Sequence, residues 1–396
     1  DSPRPSARAL CSVRCVGGTR NGAEASVVAA AHDLAPLARE HAERSERERT
    51  LAPEVVGALR ESPLPSMLLP APLGGAEVSP AAMVSALEEL AAGDASAAWC
   101  AMVAATSGLL GAYVDPGFAR DAFGPGRIAG GVYAPLGRAR REGDAYVVSG
   151  RWPFASGCLH ADTLLGGAVA EGEPPAPRVL VLDAGDVEIH DTWDVAGLRG
   201  TGSHDMEVRD LRVPAARSAV LGVDQPRHDG PLYAFPPFGL LALGIAAVAL
   251  GIARAAIDDL VELAAAKRPG GSKRTLAERA GVQADVARAH ALVASARAFV
   301  NDAVGRAWQA AAADGEIPLA ERSRLRLAAT HATRSSAEAV DLMYGAAGGA
   351  AIYSRSPLQR RFRDVHTATA HMMVSPATLE LAGRIALGLE TETGQL

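Results

Sequence analysis

The chain has 396 residues, of which 48% are hydrophobic and 21% charged, and its formal net charge is −6. This length suits two or three domains around a large buried core. The acidic balance offers no basic surface for nucleic acid, and the longest uncharged apolar run, 238–253, is about four residues short of a bilayer span. We therefore expect a soluble cytoplasmic protein that binds neither nucleic acid nor a membrane.

Residues 1–22 contain four arginines among Ser, Pro and Gly, with almost no acidic residue. This composition is typical of a transit peptide and also of a start-site artefact, and it predicts a disordered tail. Two of the four cysteines, Cys11 and Cys15, form only a weak CxxxC pair there. Because the cysteines lie at no disulfide or zinc-ribbon spacing, we expect reduced thiols and no metal site.

Residues 23–125 read as an N-terminal helical domain. Apolar residues recur at helical spacing from Ala23, a proline opens a short helix at Pro53, and Ser79 caps another helix. The segment 95–113 is small and apolar throughout, which predicts a helix buried on all sides. Trp99 lies in this segment, either as a core residue or as a wall of an active site.

In residues 126–222 the apolar residues recur with a period of two, which is typical of strands. Short apolar stretches between Gly, Pro and Asp turns predict a compact antiparallel barrel or sandwich. The glycine-rich segment 197–203 has the spacing GxxGxG and is followed by strands, so it does not match a dinucleotide-binding fingerprint. The predicted strands are 128–133, 138–141, 145–150, 163–169, 178–183, 187–193 and 206–213.

Residues 223–396 begin with a Pro-rich linker and continue with long helical patterns. Four helices with short connections indicate a four-helix bundle. The whole chain is therefore predicted to be α+β and mainly α. The predicted helices are about 238–267, 276–314, 318–345 and 376–389.

Polar groups suited to chemistry are few. The segment 150–161 places two aromatic rings, a hydroxyl, a thiol and an imidazole within twelve residues. Near the C-terminus, His366 and His371 are five residues apart, about 140° around a helix, which argues against a two-histidine metal site. Arg363 and Asp364 between these regions are most simply a structural ion pair.

The order of a helical domain, a β-domain and a four-helix bundle resembles the acyl-CoA dehydrogenase fold over about residues 25–390. Gly150-Arg-Trp-Pro-Phe-Ala-Ser156-Gly resembles the strand that lies against the flavin in that family. Gly197-Leu-Arg-Gly-Thr-Gly-Ser203 resembles its glycine-arginine-glycine-threonine signature. The resemblance implies a flavoprotein.

One departure indicates the subfamily. Acyl-CoA dehydrogenases carry a catalytic glutamate a few residues beyond the last Arg-Asp, whereas this chain has His371 there and no Glu between Ala350 and Leu379. Ser-Gly-Cys158-x-His160-Ala and Arg-Asp364-x-His…His resemble instead the flavin-dependent monooxygenases on the same fold. These are the oxygenase components of two-component systems.

This resemblance implies a small-molecule substrate, reduced FMN or FAD from a separate NAD(P)H-flavin reductase, and oxygenation through a flavin C4a-hydroperoxide. The expected reaction is hydroxylation or N-oxygenation of an aromatic, polyketide-like or other small organic molecule. An acyl-CoA dehydrogenase that uses FAD with a displaced base is the alternative. A helical scaffold that has lost its flavin is a third interpretation.

The resemblance also assigns roles to individual residues. Ser156 would meet flavin N5, with Phe154 and Gly157 along the ring, and Trp152 would either join them or fill the barrel. His371 would act over the flavin, by deprotonating a phenol or by holding the hydroperoxide proton. The expected substrate contacts are Trp99, His160 and His366, whereas Cys158 is expected to be a packing residue.

Four further residues would bind the cofactor from the helical bundle. Arg268 and Gln283 resemble the side chains that reach the flavin phosphates across a subunit interface. Gly348 and Gly349 lie where a neighbouring chain would approach. This arrangement implies a homotetramer, or at least a dimer. The small apolar segments that would line the site suggest a bulky hydrophobic or aromatic substrate.

Overall fold

The computed structural model describes residues 21–172, 175–394 and 396. The predicted disorder of residues 1–20, including Cys11 and Cys15, falls outside these ranges. Asn21 and Gly22, which were also assigned to the tail, instead begin the first helix.

Five helices form the N-terminal part, and local sequence explains where two of them start. The Ser79 hydroxyl accepts the Ala82 N–H at the start of the third helix. The Asp94 carboxylate accepts the Ala97 N–H at 2.8 Å and starts the fourth. Every residue of the fourth helix is buried, as its uniformly apolar composition predicts. The helices are α1 (Asn21–Glu48), α2 (Pro53–Glu61), α3 (Pro80–Gly93), α4 (Ala95–Gly108) and α5 (Pro116–Phe123).

The β-part is one open, mixed sheet of seven strands in the order β5-β6-β2-β1-β3-β4-β7. The strands are β1 (Ala129–Glu142), β2 (Ala145–Trp152), β3 (Thr163–Ala170), β4 (Ala176–Asp183), β5 (Glu188–His190), β6 (Asp205–Pro214) and β7 (Ser218–Ala219). The prediction of an antiparallel barrel or sandwich is therefore wrong. Two predicted strands, 128–133 and 138–141, are a single strand β1 with a register shift between Val132 and Gly137.

The mixed character has a simple cause. Strands β2 and β3 lie on opposite sides of β1, with β2 antiparallel to it and β3 parallel. The connection 153–162 must therefore cross one end of β1, and Ser156 pairs with Gly131 of β1 on the way. This connection, here called the crossover segment, carries most of the chemistry-bearing residues of the motif.

Trp152, at the end of β2, is enclosed in the core of the sheet. It is fully buried, and its indole N–H donates to the Gly167 carbonyl at 2.6 Å. A Cβ added at Gly137 would lie 2.4 Å from the indole, and one at Gly150 would lie 2.7 Å from it. Because these glycines have no side chains, they leave a slot that the Trp152 indole fills. The cofactor-binding assignment of Trp152 is corrected to core packing, the alternative that the sequence left open.

Five helices complete the chain: α6 (Pro237–Ala266), α7 (Ala280–Asp314), α8 (Leu319–Ala347), α9 (Pro357–Thr369) and α10 (Pro376–Ala386). Helix α6 is central and packs against α3, α4, α8 and α9. Helix α9 was not among the four predicted helices, because its charged sequence lacks a long apolar stripe. The segments Ala95–Ala112 and Pro237–Ala266 are long and apolar enough to cross a membrane, but 100% and 89% of their apolar windows are buried inside the protein.

The N-terminal and C-terminal helices share one hydrophobic core, which runs from Val27 to Val374. The sheet has separate cores on its two faces, one around Trp152 and one around Leu165. The predicted domain limits near 125 and 222 fall between secondary-structure elements. The two helical parts pack around one core, so a division into three domains stays a prediction.

Candidate active site

The backbone conformation of the crossover segment leaves Phe154 exposed and Ser156 buried. Phe154 has a φ of 67° and Gly157 a φ of 77°. The Ala155 N–H donates to the His204 carbonyl at 3.0 Å, and the Gly157 N–H donates to the Thr201 carbonyl at 2.9 Å. As a result Phe154 is 67% exposed, whereas Ser156 is buried. A positive φ at a non-glycine residue is uncommon and is often found at functional sites.

Three hydroxyl groups form a hydrogen-bonded row beneath this segment. The Ser156 Oγ is 2.7 Å from the Ser203 Oγ, and the Ser203 Oγ is 2.7 Å from the Thr201 Oγ1. The Thr201 hydroxyl donates to the Leu198 carbonyl at 2.8 Å. All three hydroxyl residues are buried. The two glycine-containing motifs of the sequence thus meet at one point.

Trp99 of α4 joins this row to the C-terminal part of the chain. Its indole N–H donates to the Ser156 hydroxyl at 3.2 Å. Its ring meets the His371 imidazole edge-on, with centroids 5.8 Å apart and planes at 61°. Trp99 is 7% exposed and belongs to the helical core. Trp99 is therefore packed in the core and also lies beside Ser156, and its alternative role as a wall of an active site stays a prediction.

His371 is held in a defined tautomer. It caps the short turn Met372–Val374, where its Nδ1 accepts the Met373 N–H at 3.2 Å. In the neutral imidazole the proton is therefore on Nε2, which is a donor. Burial and, to a smaller extent, the nearby Arg326 guanidinium together lower the pKa of His371 to about 4. The side chain is neutral at pH 7.

His160 lies beside Gly157 in the same region. A Cβ added at Gly157 would be 3.3 Å from the His160 Nε2. Both ring nitrogens are buried and have no hydrogen-bond partner within the described part of the chain. Burial lowers the pKa of His160 to about 4, with a further contribution from Arg60. An unpaired buried imidazole is costly, which indicates a place where a ligand or water supplies the missing partner.

Phe154 has an aromatic neighbour that the sequence did not single out. The rings of Phe154 and Trp193 meet at right angles, with centroids 6.1 Å apart. Trp193 is fixed by its indole N–H, which donates to the Leu198 carbonyl at 3.2 Å, and by its backbone N–H, which donates to the His204 Nδ1 at 3.1 Å. The only signal in the sequence was that this residue is one of four tryptophans.

Asp364 supports the glycine-rich segment rather than its chain neighbour. Its Oδ1 accepts the Leu198 N–H at 2.6 Å, while Arg363 donates to the Ala196 carbonyl and pairs with Glu46. Burial raises the pKa of Asp364 to about 6. The predicted Arg363–Asp364 ion pair is therefore wrong, because adjacent residues on a helix point in different directions.

Two other predicted residues of this region have partners of a different kind. The His366 Nε2 is 2.8 Å from the Asp341 carboxylate near the surface, and its ring packs on Phe362. These contacts involve none of Ser156, Trp99 or His371, so the structure does not support His366 as a substrate contact. The Cys158 thiol donates to the Gly202 carbonyl at 3.2 Å and is buried, as expected for a packing residue.

The two residues predicted to reach the flavin phosphates, Arg268 and Gln283, and the two predicted to lie near a neighbouring chain, Gly348 and Gly349, are carried by adjoining segments at one end of the helical bundle. The Lys267 ammonium donates to the Ala347 carbonyl at 2.8 Å, which brings the neighbouring residues Arg268 and Gly348 together. The Gln283 amide donates to the Ala277 carbonyl at 2.9 Å in the following segment. The Arg268 and Gln283 side chains are exposed, and so are Gly348 and Gly349.

A group of possible metal ligands lies elsewhere, on the edge strands β5 and β6. Ligand atoms of Glu188, His190 and Glu207 lie within 4.8 Å of one another. The His190 Nε2 is 2.8 Å from Glu207, and Arg209 donates to the same carboxylate at 2.6 Å. These contacts make the group a network of hydrogen bonds and ion pairs at the sheet edge.

The chain is similar to known proteins over most of its length. The family models for the acyl-CoA dehydrogenase N-terminal and C-terminal domains match residues 24–115 and 243–376. An indole-3-acetate monooxygenase from Pseudomonas putida is 33% identical over 356 residues, which cover 89% of this chain and 91% of that protein. The flavin-dependent monooxygenase oxygenase subunit HsaA from Mycobacterium tuberculosis is 30% identical over 370 residues, covering 89% and 92%.

Solved structures give the same result. A 3-HSA hydroxylase from Rhodococcus superposes with a TM-score of 0.87 at 25% identity, covering 94% of this chain and 99% of that chain. XiaF from Streptomyces, solved with FADH2 and glycerol, superposes with a TM-score of 0.85 at 27% identity, covering 94% and 98%.

The curated relatives named here are monooxygenases. The dehydrogenase alternative is therefore not supported. The chain belongs to the flavin-dependent monooxygenases that share the acyl-CoA dehydrogenase fold.

Proposed function

We propose that this enzyme hydroxylates or N-oxygenates an aromatic substrate with O2 and reduced FMN or FAD. The observation that carries the proposal is the contact of Trp99 with both Ser156 and His371, which unites the two ends of the predicted site. The relatives named for indole-3-acetate and resorcinol act on aromatic rings, which supports an aromatic substrate here.

The residues around Ser156 fit a flavin. The exposed Phe154 ring, which packs edge-on against the buried Trp193, offers an aromatic surface for a planar ring system, and Ser156 lies two residues further along the same segment. Bound reduced flavin would supply the activation of O2. The chain would hold it with Phe154 along the ring, the Ser156 hydroxyl at N5 and the Gly157 backbone close to it.

His371 is suited to donating a hydrogen bond rather than to removing a proton. Its Nδ1 is occupied by the Met373 N–H, and its Nε2 carries the proton of the neutral ring. A base at Nε2 would require loss of that proton, whereas a donor needs no change. Both roles predicted from the sequence, deprotonating a phenol and holding the hydroperoxide proton, need an acceptor nitrogen, whereas this geometry favours a third role, in which the Nε2–H of His371 donates to an oxygen atom in the site.

Trp99 and His160 are proposed to contact the substrate. Trp99 presents an aromatic surface between Ser156 and His371, and His160 has two unpaired ring nitrogens next to Gly157. A phenol or an indole combines a flat apolar body with one hydrogen-bonding group, which matches this combination.

The remaining features concern assembly and location. Relatives named as oxygenase components or subunits support a separate NAD(P)H-flavin reductase as the partner. The exposed group formed by Arg268, Gln283 and the two glycines is suited to bind flavin phosphates of a neighbouring subunit, which underlies our proposal of a homotetramer. Buried free thiols at Cys100 and Cys158 agree with a cytoplasmic enzyme.

The proposal is tested by supplying photoreduced FMN or FAD, with O2, to the purified protein and a panel of phenols and indoles. We expect a product that has gained one oxygen atom from 18O2, together with consumption of reduced flavin. An acyl-CoA panel with an electron acceptor serves as the parallel assay. Oxidation of an acyl-CoA, with no oxygenated aromatic product, would refute the monooxygenase proposal for this chain.

A further inference from the structure

The direction of donation along the row of hydroxyl groups under the crossover segment follows from the Thr201 hydroxyl, which lies 2.8 Å from the Leu198 carbonyl. The Thr201 proton is used by the Leu198 carbonyl, which can only accept. The Ser203 hydroxyl must therefore donate to Thr201, and the Ser156 hydroxyl must donate to Ser203. At the other end, the Trp99 indole can only donate, and it donates to Ser156. Every proton in the row then has a partner.

This direction determines what Ser156 can offer a ligand. A hydroxyl has one proton and two acceptor positions. The proton of Ser156 is committed to Ser203 and one acceptor position is filled by Trp99, so only an acceptor position remains. A ligand atom placed there must be a donor, because two facing acceptors leave both unsatisfied.

We propose that Thr201 and Ser203 are positioning residues that hold the Ser156 hydroxyl as a hydrogen-bond acceptor, so that it recognises an N–H group at the flavin N5 position. The inference rests on the proposed function. Reduced flavin carries a proton on N5, whereas oxidised flavin presents an acceptor there. The row would therefore discriminate between the two oxidation states through residues that do not touch the flavin.

The experiment measures binding alone. Dissociation constants of oxidised and photoreduced FMN and FAD are determined by anaerobic equilibrium dialysis, without substrate or oxygen. The readout is the ratio of the oxidised to the reduced constant. We expect the wild-type protein to bind the reduced form more tightly by about tenfold or more.

Two variants at Thr201 separate polarity from packing. In Thr201→Val the acceptor for Ser203 is lost, so Ser203 turns its proton to Ser156 and releases the Ser156 proton for oxidised N5. The Leu198 carbonyl keeps the Trp193 indole as a donor. We expect the ratio to fall about three- to tenfold, whereas Thr201→Ser, which keeps the hydroxyl, retains the wild-type ratio.

Other variants complete the test. Ser203→Ala should lower the ratio as Thr201→Val does, and it serves if the valine variant does not fold. Trp99→Phe should preserve the ratio, because it removes a donor without reversing the row. Thr163→Val is the matched control, since the Thr163 hydroxyl is buried and donates to the Ala122 carbonyl away from the row.

Suppose that the wild-type protein binds reduced flavin and oxygenates its substrate. If the ratio is then unchanged in both Thr201→Val and Ser203→Ala, this inference is wrong while the proposed function stands. A wild-type protein that binds neither form of flavin and oxygenates nothing would overturn the proposed function along with it. A fall in the two variants, with retention in Thr201→Ser, supports the row as the source of discrimination.

Discussion

The indole N–H of Trp99 lies within hydrogen-bonding distance of the Ser156 hydroxyl, while the ring of the same tryptophan meets His371 edge-on. Helix α4 thereby fixes two groups that are far apart in the chain. Its complete burial leaves Trp99 little freedom to move. A site supported by a packed core helix is held more precisely than one built only from loops.

Replacement of Ser156 by alanine should uncouple flavin oxidation from product formation. The hydroxyl that we place at flavin N5 is removed, so peroxide should be released in place of oxygenated product, with a loss of about tenfold in product per flavin oxidised. Ser149→Ala is the control, because this half-buried serine of β2 pairs with Asp210 instead. Full coupling in Ser156→Ala would contradict the assigned role.

His371 should act without titrating in the physiological range. Its pKa of about 4 means that the ring stays neutral as the pH falls from 8 to 5. Product per flavin oxidised should therefore be flat over that range, and His371→Gln, which keeps an N–H donor, should retain more coupling than His371→Ala. A step near pH 6.5 that disappears in His371→Gln would show instead that the histidine works as a titrating base.

The sequence predicts those parts of the site that depend on residues close together in the chain. It does not predict the parts that depend on contacts between distant residues. Ser156 and His371 can be singled out from the sequence because the motifs that carry them are local, and their roles stay predictions. Trp193 was missed because its position beside Phe154 follows from a loop fixed by His204, a contact that no spacing in the sequence reveals.

Prediction of the fold from the sequence is limited in the same way. Helices α6, α7 and α8 follow from long apolar periods and glycine punctuation, and their prediction was close. The parallel pairing of β1 with β3 depends on which side of β1 each strand joins, which periodicity does not encode. The slot for Trp152 is formed by glycines on three strands and becomes visible only once those strands are paired.

His160 should make the protein less stable in mild acid. Its pKa is about 4 in the folded protein and ordinary, near 6.5, in the unfolded chain. As the pH falls from about 6.5 to 4, the unfolded chain gains a proton that the folded protein does not, so the free energy of unfolding decreases. His160→Gln should flatten this dependence in urea denaturation between pH 4 and 7. An unchanged slope would show that the imidazole is not buried as neutral.

Trp152 and Phe154 should have opposite effects on stability and flavin affinity. Trp152→Phe loses the bond to Gly167 and leaves a void, which should cost about 1–3 kcal/mol of unfolding free energy while flavin affinity stays nearly constant. Phe154→Ala should leave stability almost unchanged, because the ring is 67% exposed, and should weaken reduced-flavin binding. Urea denaturation and anaerobic dialysis measure the two quantities, and the reverse pattern would restore Trp152 as the cofactor contact.

Arg268 should serve the flavin site of a neighbouring subunit. The side chain is exposed at the end of the bundle, so we expect Arg268→Ala to weaken flavin binding, with a smaller salt dependence than in the wild type, and to leave the fold intact. A mixing experiment tests whether the site spans two chains. Unfolding and refolding Arg268→Ala together with Ser156→Ala would create some sites with an intact serine from one chain and an intact arginine from the other.

Such mixed oligomers should form more coupled product than the sum of the two variants refolded separately. Refolding each variant together with wild-type chains measures how much coupled product is lost when one chain of an oligomer carries the substitution. Size-exclusion chromatography establishes that subunits have exchanged. If exchange occurs and the mixture yields only the sum of its parts, each site is complete within one chain, and Arg268 does not reach the flavin of its neighbour.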